Sequence, residues 1–170
     1  MHSAFTSSDS RAILTGLTLL AFAPSLCARD FHVATSGDDA RAGTAGVPFA
    51  TVQRAAKSAG PGDTVFIHGG TYRMRENQIS RVRNDRAHVI SLSRSGTPGK
   101  PIRFTAFGNE RPVFDLSDVK PRDCRVTAFH VDGSWIHLKG LAVTGVQVTI
   151  SGHTQSICFD NQGSHNIYGL

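Results

Sequence analysis

From residue 31 onward the chain is a succession of very short alternating apolar and polar runs, each closed by a glycine or proline turn. In Pro61-Gly62-Asp63-Thr64-Val65-Phe66-Ile67-His68-Gly69-Gly70-Thr71-Tyr72 the turn signals enclose one strand, with Val65 and Ile67 alternating against Phe66 and His68. Further runs follow at Phe31–Ser36, His88–Ser93, Ile102–Phe107, Pro112–Asp115, Val126–Val131, Trp135–Leu138, Leu141–Thr144, Val146–Ile150, Ser156–Phe159 and Asn166–Tyr168. Gly133, Gly140, Gly145, Gly152, Gly163 and Gly169 punctuate the later ones. A strand of four or five residues cannot bury its apolar face alone, so each needs a partner of the same shape.

Gly133-Ser-Trp-Ile-His-Leu-Lys-Gly-Leu141 echoes Gly163-Ser-His-Asn-Ile-Tyr-Gly-Leu170, with a one-residue slip. Self-similarity at a spacing of about 30 residues signals stacked repeats. Three short strands and their turns form one coil of a parallel β-helix, and coils stack at ~4.8 Å. The core is then a column of inward side chains: Val65, Ile67, Ile102, Phe104, Ile136, Leu138, Val148, Ile150, Ile157 and Phe159. A β-sandwich competes, but it needs hairpins, and Asp132-Gly133 is the sole two-residue turn of the usual kind. The expected fold is all-β, a parallel β-helix.

One helix is expected, from Thr51 to Ala59. Thr51 is a good N-cap, and Val52, Ala55, Ala56 and Ala59 form one apolar face. Gly60-Pro61 ends it. Two turns of helix do not persist alone, so it is expected to cap the open end of the column near Val65 and Ile67. Arg73–Arg86 is expected to be a long loop, with Arg73, Arg75, Arg81, Arg83 and Arg86 facing solvent or attracting an anion. Asp38-Asp39 admits a cation site or a solvated turn.

Residues 1–28 read as a secretory signal peptide: Arg11 precedes an apolar run from Ala12 to Ala23, and Leu26-Cys27-Ala28 offers a cleavage site. The run is too short to span a membrane. Cleavage near Ala28 implies a secreted or periplasmic protein, with residues 29–170 as a single domain. The net charge is +5, and before Arg29 the only charged residues are Asp9 and Arg11, so the excess lies in the remainder. Charge alone admits a polyuronate or a nucleic acid as partner. Cys124 and Cys158 either pair or remain core thiols.

Phe31–Asp39, Gly43-Thr44, Pro48–Ala56, Pro61–Val65, Gly70–Tyr72, Gly96–Ile102, Pro112–Asp115 and Trp135–Leu141 together resemble secreted bacterial right-handed parallel β-helix proteins. The chain is most similar to the N-terminal part of the pectate lyases of polysaccharide lyase family nine. The alginate and chondroitin lyases of family six are similar over the same stretch. The resemblance implies β-elimination on an acidic polysaccharide, with no nucleic acid partner and a monomer at full length. Such chemistry neutralises the uronate carboxylate, so that a base can take the adjacent proton. In the family the cation is calcium, held by aspartates, and the base is a lysine.

Those groups come from later coils, and from Gly133 onward this chain has only Asp160 and Lys139 as acid and lysine. The β-helix is therefore expected to be C-terminally incomplete, and residues 29–170 alone are not expected to cleave pectate. No catalytic residue is carried across. Asp160-Asn161-Gln162 is either a calcium ligand group or a turn, with Asp160 the candidate metal ligand. Arg81 and Arg83 are candidate substrate contacts. The histidines show no metal-ligand spacing and read as scattered strand or surface positions. The alternative function is a non-catalytic carbohydrate-binding or surface β-helix; a β-sandwich adhesin is a third.

Overall fold

The computed structural model describes residues 27–147 with Thr149, Asp160 and Asn161. The elements are β1 (Asp30–Val33), α1 (Val52–Ser58), β2 (Thr64–Ile67), β3 (Gly70–Arg73), a 3-10 turn (Glu76–Gln78), β4 (Arg81–Arg83), β5 (Arg86–Leu92), β6 (Ile102–Ala106), β7 (Pro112–Asp115), β8 (Arg125–Val131), β9 (Ile136–Lys139), β10 (Ala142–Thr144) and β11 (Asp160–Asn161). They form three sheets, ordered β1-β2-β6-β9, β3-β7-β10 and β4-β5-β8-β11. Every pairing is parallel except β4 with β5. Apart from β1–β2 and β4–β5, successive strands belong to different sheets, and each full turn of chain lays one strand on each: a parallel β-helix.

Register shows how the column forms. Phe31 lies beside Val65, Val65 beside Phe104 and Phe104 beside Leu138. Ile102 pairs with Ile136, and Tyr72 with Phe114. The rings of Tyr72 and Phe114 stack at 5.1 Å, and Phe114 meets Phe129 edge-on at 5.0 Å. Val65, Ile67, Ile102, Phe104, Ile136 and Leu138 are all buried as expected; Val148, Ile150, Ile157 and Phe159 lie outside the described residues. Each such side chain contributes roughly 1.5–3 kcal/mol on burial.

The repeat is not constant. The interval between ladder partners falls from 39 residues (Thr64 to Arg103) through 34 (Arg103 to His137) to 30 (His130 to Asp160). Turn lengths absorb the difference. Where they stack closely, glycine is required: a Cβ on Gly133 would collide with the Arg94 carbonyl.

The helix forms as expected. Thr51 Oγ1 accepts from the Arg54 amide at 3.1 Å, and Val52, Ala55 and Ala56 are buried. It lies against β1, β2 and β5, closing the column. Asp63 explains the Pro-Gly-Asp turn before β2. Its buried carboxylate accepts from the backbone amides of Arg29 (2.8 Å) and Gly60 (2.9 Å), and from the Arg29 guanidinium (3.1 Å).

Four local expectations need correction. Arg73–Arg86 is not one long loop: it holds the end of β3, the 3-10 turn and β4, which folds back on β5 in a hairpin. Its two-residue turn is Asn84-Asp85, with Asn84 at φ 53, a left-handed conformation that asparagine tolerates without glycine. The turn expected at Gly69-Gly70 is a bend at Gly69, and Gly70-Thr71-Tyr72 already belongs to a strand that was not expected, β3, because it pairs with Pro112–Phe114. Trp135 does not begin a strand: it sits at φ 56, and β9 starts at Ile136. Gly145, Val146, Gln147 and Thr149 carry no strand; single backbone bonds from Val126 to Gln147 and from Thr149 to Cys124 hold them instead. The echo after Gly163 and residues 1–26 of the expected signal peptide lie outside the described residues. Among the described residues no helix is long and apolar enough to cross a membrane.

Candidate functional site

A cleft of 710 Å³ opens between the cap and the 3-10 turn. Its walls come from the start of α1, from β3, from the segment Asn77–Arg81 and from β5. That size falls in the usual range for a ligand site. Tyr72, Met74, Ile79, Ile90 and Phe114 give an apolar floor, and Thr35, Thr71, Asn77 and Ser93 give hydroxyls and an amide at the edge.

The charged lining divides in two. Asp39 is consumed by the fold: Oδ1 accepts from the amides of Ala50 (2.8 Å) and Thr51 (2.9 Å), and Oδ2 accepts from the Thr51 hydroxyl (2.6 Å). The Asp38-Asp39 pair is thus a cap anchor, with its oxygens turned to protein donors. Gln53 is likewise used, bonding both backbone groups of Ser91. Lys57 and Arg73 are exposed on the rim, and among the described residues neither side chain makes an ion pair or hydrogen bond. Asp115, the last residue of β7 and the ladder partner of Arg73, is held below the usual carboxylate range by the Ser117 hydroxyl and amide, with Arg73 a smaller influence.

Of the sequence candidates, Arg81 lines the cleft, but its guanidinium is engaged. Nη2 lies 3.0 Å from Asp132 Oδ2 and 2.6 Å from His130 Nε2. His130 Nε2 also lies 2.8 Å from Asp132 Oδ1. One ring nitrogen cannot accept from a guanidinium and donate to a carboxylate at once, so Nε2 makes one of these two hydrogen bonds in any one tautomer. Arg83 is exposed on the hairpin and does not line the cleft. Asp160 is a strand residue beside His130 in β11, so the turn reading gives way to a ladder position. Lys139 ends β9, exposed. Cys124 is buried and, among the described residues, joined to no other cysteine; burial, then nearby Asp123 and Asp85, push its thiol up, and its candidate partner Cys158 lies outside the described residues.

The histidine pairings were missed in the sequence. His88 and His130 stack with ring centroids 3.9 Å apart. His32 Nδ1 lies 3.0 Å from His68 Nε2, across 36 residues. The signal was there: each pair is separated by about one coil, so stacking coils brings the rings together. The β5–β8 ladder skips Val89 and Ala128, and consecutive residues Val89-Ile90 and Ala128-Phe129 are both buried. The offset is 39 residues on both sides of the gap (Arg86 to Arg125, Leu92 to Val131), so no residue is inserted; both strands change phase together, and the rings of His88 and His130 meet.

The model of the Pel9A-like right-handed β-helix region matches residues 31–169. The chain belongs to this Pel9A-like family. It is 27% identical over 118 residues to pectate lyase PEL9 of Emericella nidulans, covering 68% of this chain and 26% of that protein. Among solved structures, a rhamnogalacturonan lyase superposes with TM-score 0.73 at 43% identity, over 77% of this chain and 32% of the other. Pectate lyase Pel9A superposes with TM-score 0.51 at 26% identity, over 66% and 27%. The chain therefore spans about a quarter to a third of the length of these Pel9A-like relatives. Family membership makes the β-helix right-handed, as expected.

The resemblance implies calcium, a cation held by several oxygen ligands. Among the described residues no group of three or more histidines, cysteines or carboxylates is placed to hold a metal ion, and Asp39 offers no oxygen that is not already accepting.

Proposed function

We propose that this protein is a secreted β-helix that engages an acidic polysaccharide of the pectate type, as part of a polysaccharide lyase. Kinship with pectate and rhamnogalacturonan lyases supports the substrate class. The observation that carries the reading to this chain is the pair of uncommitted cations, Lys57 and Arg73, on the rim of the cleft while Asp39 and Asp132 are neutralised by protein groups. Exposed cations attract a uronate; the apolar floor accepts a sugar face, and the hydroxyls and amide at the edge exchange hydrogen bonds with its hydroxyls. Arg83, exposed nearby, adds to the positive field. Calcium-assisted elimination would draw its ligands and its base from side chains outside the described residues, and no step of it is assigned to these.

The test is binding to polygalacturonate by affinity electrophoresis at several salt concentrations. Retardation that weakens with salt is expected, because exposed charge pairs are screened over about 8–10 Å at ordinary ionic strength. Lys57→Ser with Arg73→Ser is expected to reduce it several-fold at unchanged melting temperature. Binding that ignores both salt and this double variant would overturn the reading. Unsaturated products in the ultraviolet are not expected from residues 29–170 alone, with or without calcium.

A further inference from the structure

A second surface of the molecule carries features that the cleft does not use. Phe107, immediately after β6, is a large apolar ring left 39% exposed. It is not loose. Its ring meets Phe66 edge-on at 5.7 Å and His32 edge-on at 5.6 Å, and lies 4.6 Å from the His68 ring. Hydrogen bonds fix that backing: His32 Nδ1 lies 3.0 Å from His68 Nε2, His68 Nδ1 lies 3.4 Å from Glu110, and Glu110 accepts from the Gly69 amide at 2.5 Å. The result is a rigid aromatic plate on the outside of the β1-β2-β6-β9 sheet.

At the other end of the same sheet stands Trp135, 42% exposed and in left-handed backbone at φ 56. A bulky residue rarely occupies that region, and such strain concentrates at functional positions. Ile136 and Leu138 point into the core, so alternation puts His137 and Lys139 on the outer face, and Trp135, exposed, stands immediately before the strand. Arg103 and Thr105 join them through the ladder, Arg103 beside His137 and Thr105 beside Lys139. Arg103 and Lys139 are exposed, and among the described residues neither side chain is engaged in an ion pair or hydrogen bond. Trp135 lies level with the residue before Ile102, and Phe107 follows the strand's far end. At about 3.3 Å per residue, the strip between the two rings is roughly 20 Å long.

We propose that this sheet face is a second polysaccharide-binding site, on which Trp135 and Phe107 stack sugar rings of an acidic oligosaccharide while Arg103 and Lys139 pair with its carboxylates. Flat rings at both ends and unpartnered cations between them match a chain of pyranoses bearing regular negative charge. The inference rests on the reading that the ligand is an acidic polysaccharide, but it concerns a different surface from the cleft.

Trp135 is the only tryptophan in the chain, so its fluorescence reports on this face. Titration of the whole chain with oligogalacturonate is expected to shift its emission. Phe107→Ala is expected to weaken the fluorescence-detected affinity about tenfold, the equivalent of 1.4 kcal/mol, and Phe107→Trp to restore it. Arg103→Ser with Lys139→Ser is expected to weaken binding of oligogalacturonate and leave its neutral methyl ester unaffected. Calorimetric binding without any change in Trp135 emission, lost in the Lys57→Ser, Arg73→Ser variant but intact in Phe107→Ala, would overturn this proposal and leave the cleft reading standing. No calorimetric binding of oligogalacturonate to the parent chain would sink both.

Discussion

Asp39 and Asp63 sit within the same cap as Lys57, yet the two kinds of charge meet opposite fates. Both carboxylates are turned inward to collect backbone amides: Ala50 and Thr51 for Asp39, Arg29 and Gly60 for Asp63. Lys57, on the solvent side of α1, and Arg73, at the end of β3, line the cleft, and among the described residues neither side chain makes an ion pair or hydrogen bond. An acid near turns and helix starts has orphan amides to satisfy, whereas a long cationic side chain reaches past the backbone to water. A count of charges in this region is therefore a poor guide to what a ligand would meet. Here Asp39, Asp63 and Arg29 belong to the fold, while Lys57 and Arg73 stay exposed at the cleft.

That contrast can be broken at its structural side first. Ala55 is fully buried under the cap, and Ala55→Asp would put an uncompensated charge there. A loss of about 3 kcal/mol or more is expected, read as a sharply lower midpoint in chemical denaturation. A variant as stable as the parent would show that α1 does not close the column. Asp63→Ala removes the acceptor for two backbone amides and one guanidinium group. It is expected to cost roughly 2–3 kcal/mol, because each buried donor left unpaired carries its own penalty; Asp63→Asn, keeping one acceptor oxygen, is expected to lose less. Equal losses in the two variants would mean that bulk, rather than hydrogen bonding, is what Asp63 supplies.

The binding side predicts the reverse pattern. Lys57→Ser and Arg73→Ser are expected to leave the melting temperature within a degree or so of the parent, since surface changes of this kind usually stay within about 0.5 kcal/mol. A clear fall in stability would place these cations with Asp39 and Asp63 as parts of the fold.

The smallest expected effect is a pH dependence at the histidine pair. Burial, then the neighbouring His68, hold His32 below its ordinary value of 6.5, with Asp30 opposing. The unfolded chain then binds the proton more readily than the folded one, so stability falls as pH drops from about 6.5 toward the lower folded value. His32→Gln is expected to flatten that part of the curve of melting temperature against pH. Glu110 and Asp115, both held below the usual carboxylate range, act at more acid pH, and their contribution is lost only there. Glu110 owes its shift first to the Gly69 amide, and Asp115 to Ser117. An unchanged slope between pH 7 and 5 in His32→Gln would show that His32 is not what titrates.

Much of the architecture is legible in the order of residues. Alternation places Val65, Ile67, Ile102, Phe104, Ile136 and Leu138 in the core, since a period of two decides which side chains of a short strand face inward. The cap helix is legible because Thr51 and Gly60-Pro61 mark its ends locally. What failed depended on partners distant in sequence or on pairing itself. Arg81–Arg83 looks like loop because its strand exists only by pairing with Arg86–His88. Arg81, Arg83 and Asp160 could be singled out by charge or chemistry, but nothing local says that Arg81 is already held by Asp132 and His130.

By itself the sequence determined the strand period, the helix ends and the succession of coils, because those follow from neighbours along the chain. The tertiary structure alone decided which coil lies on which, and hence that His32 meets His68, that His88 meets His130, and that Lys57 and Arg73 share one cleft. The turns vary in length, so residues brought together by stacking are separated by no constant number, and only the closed ladder of backbone hydrogen bonds sets the register between them.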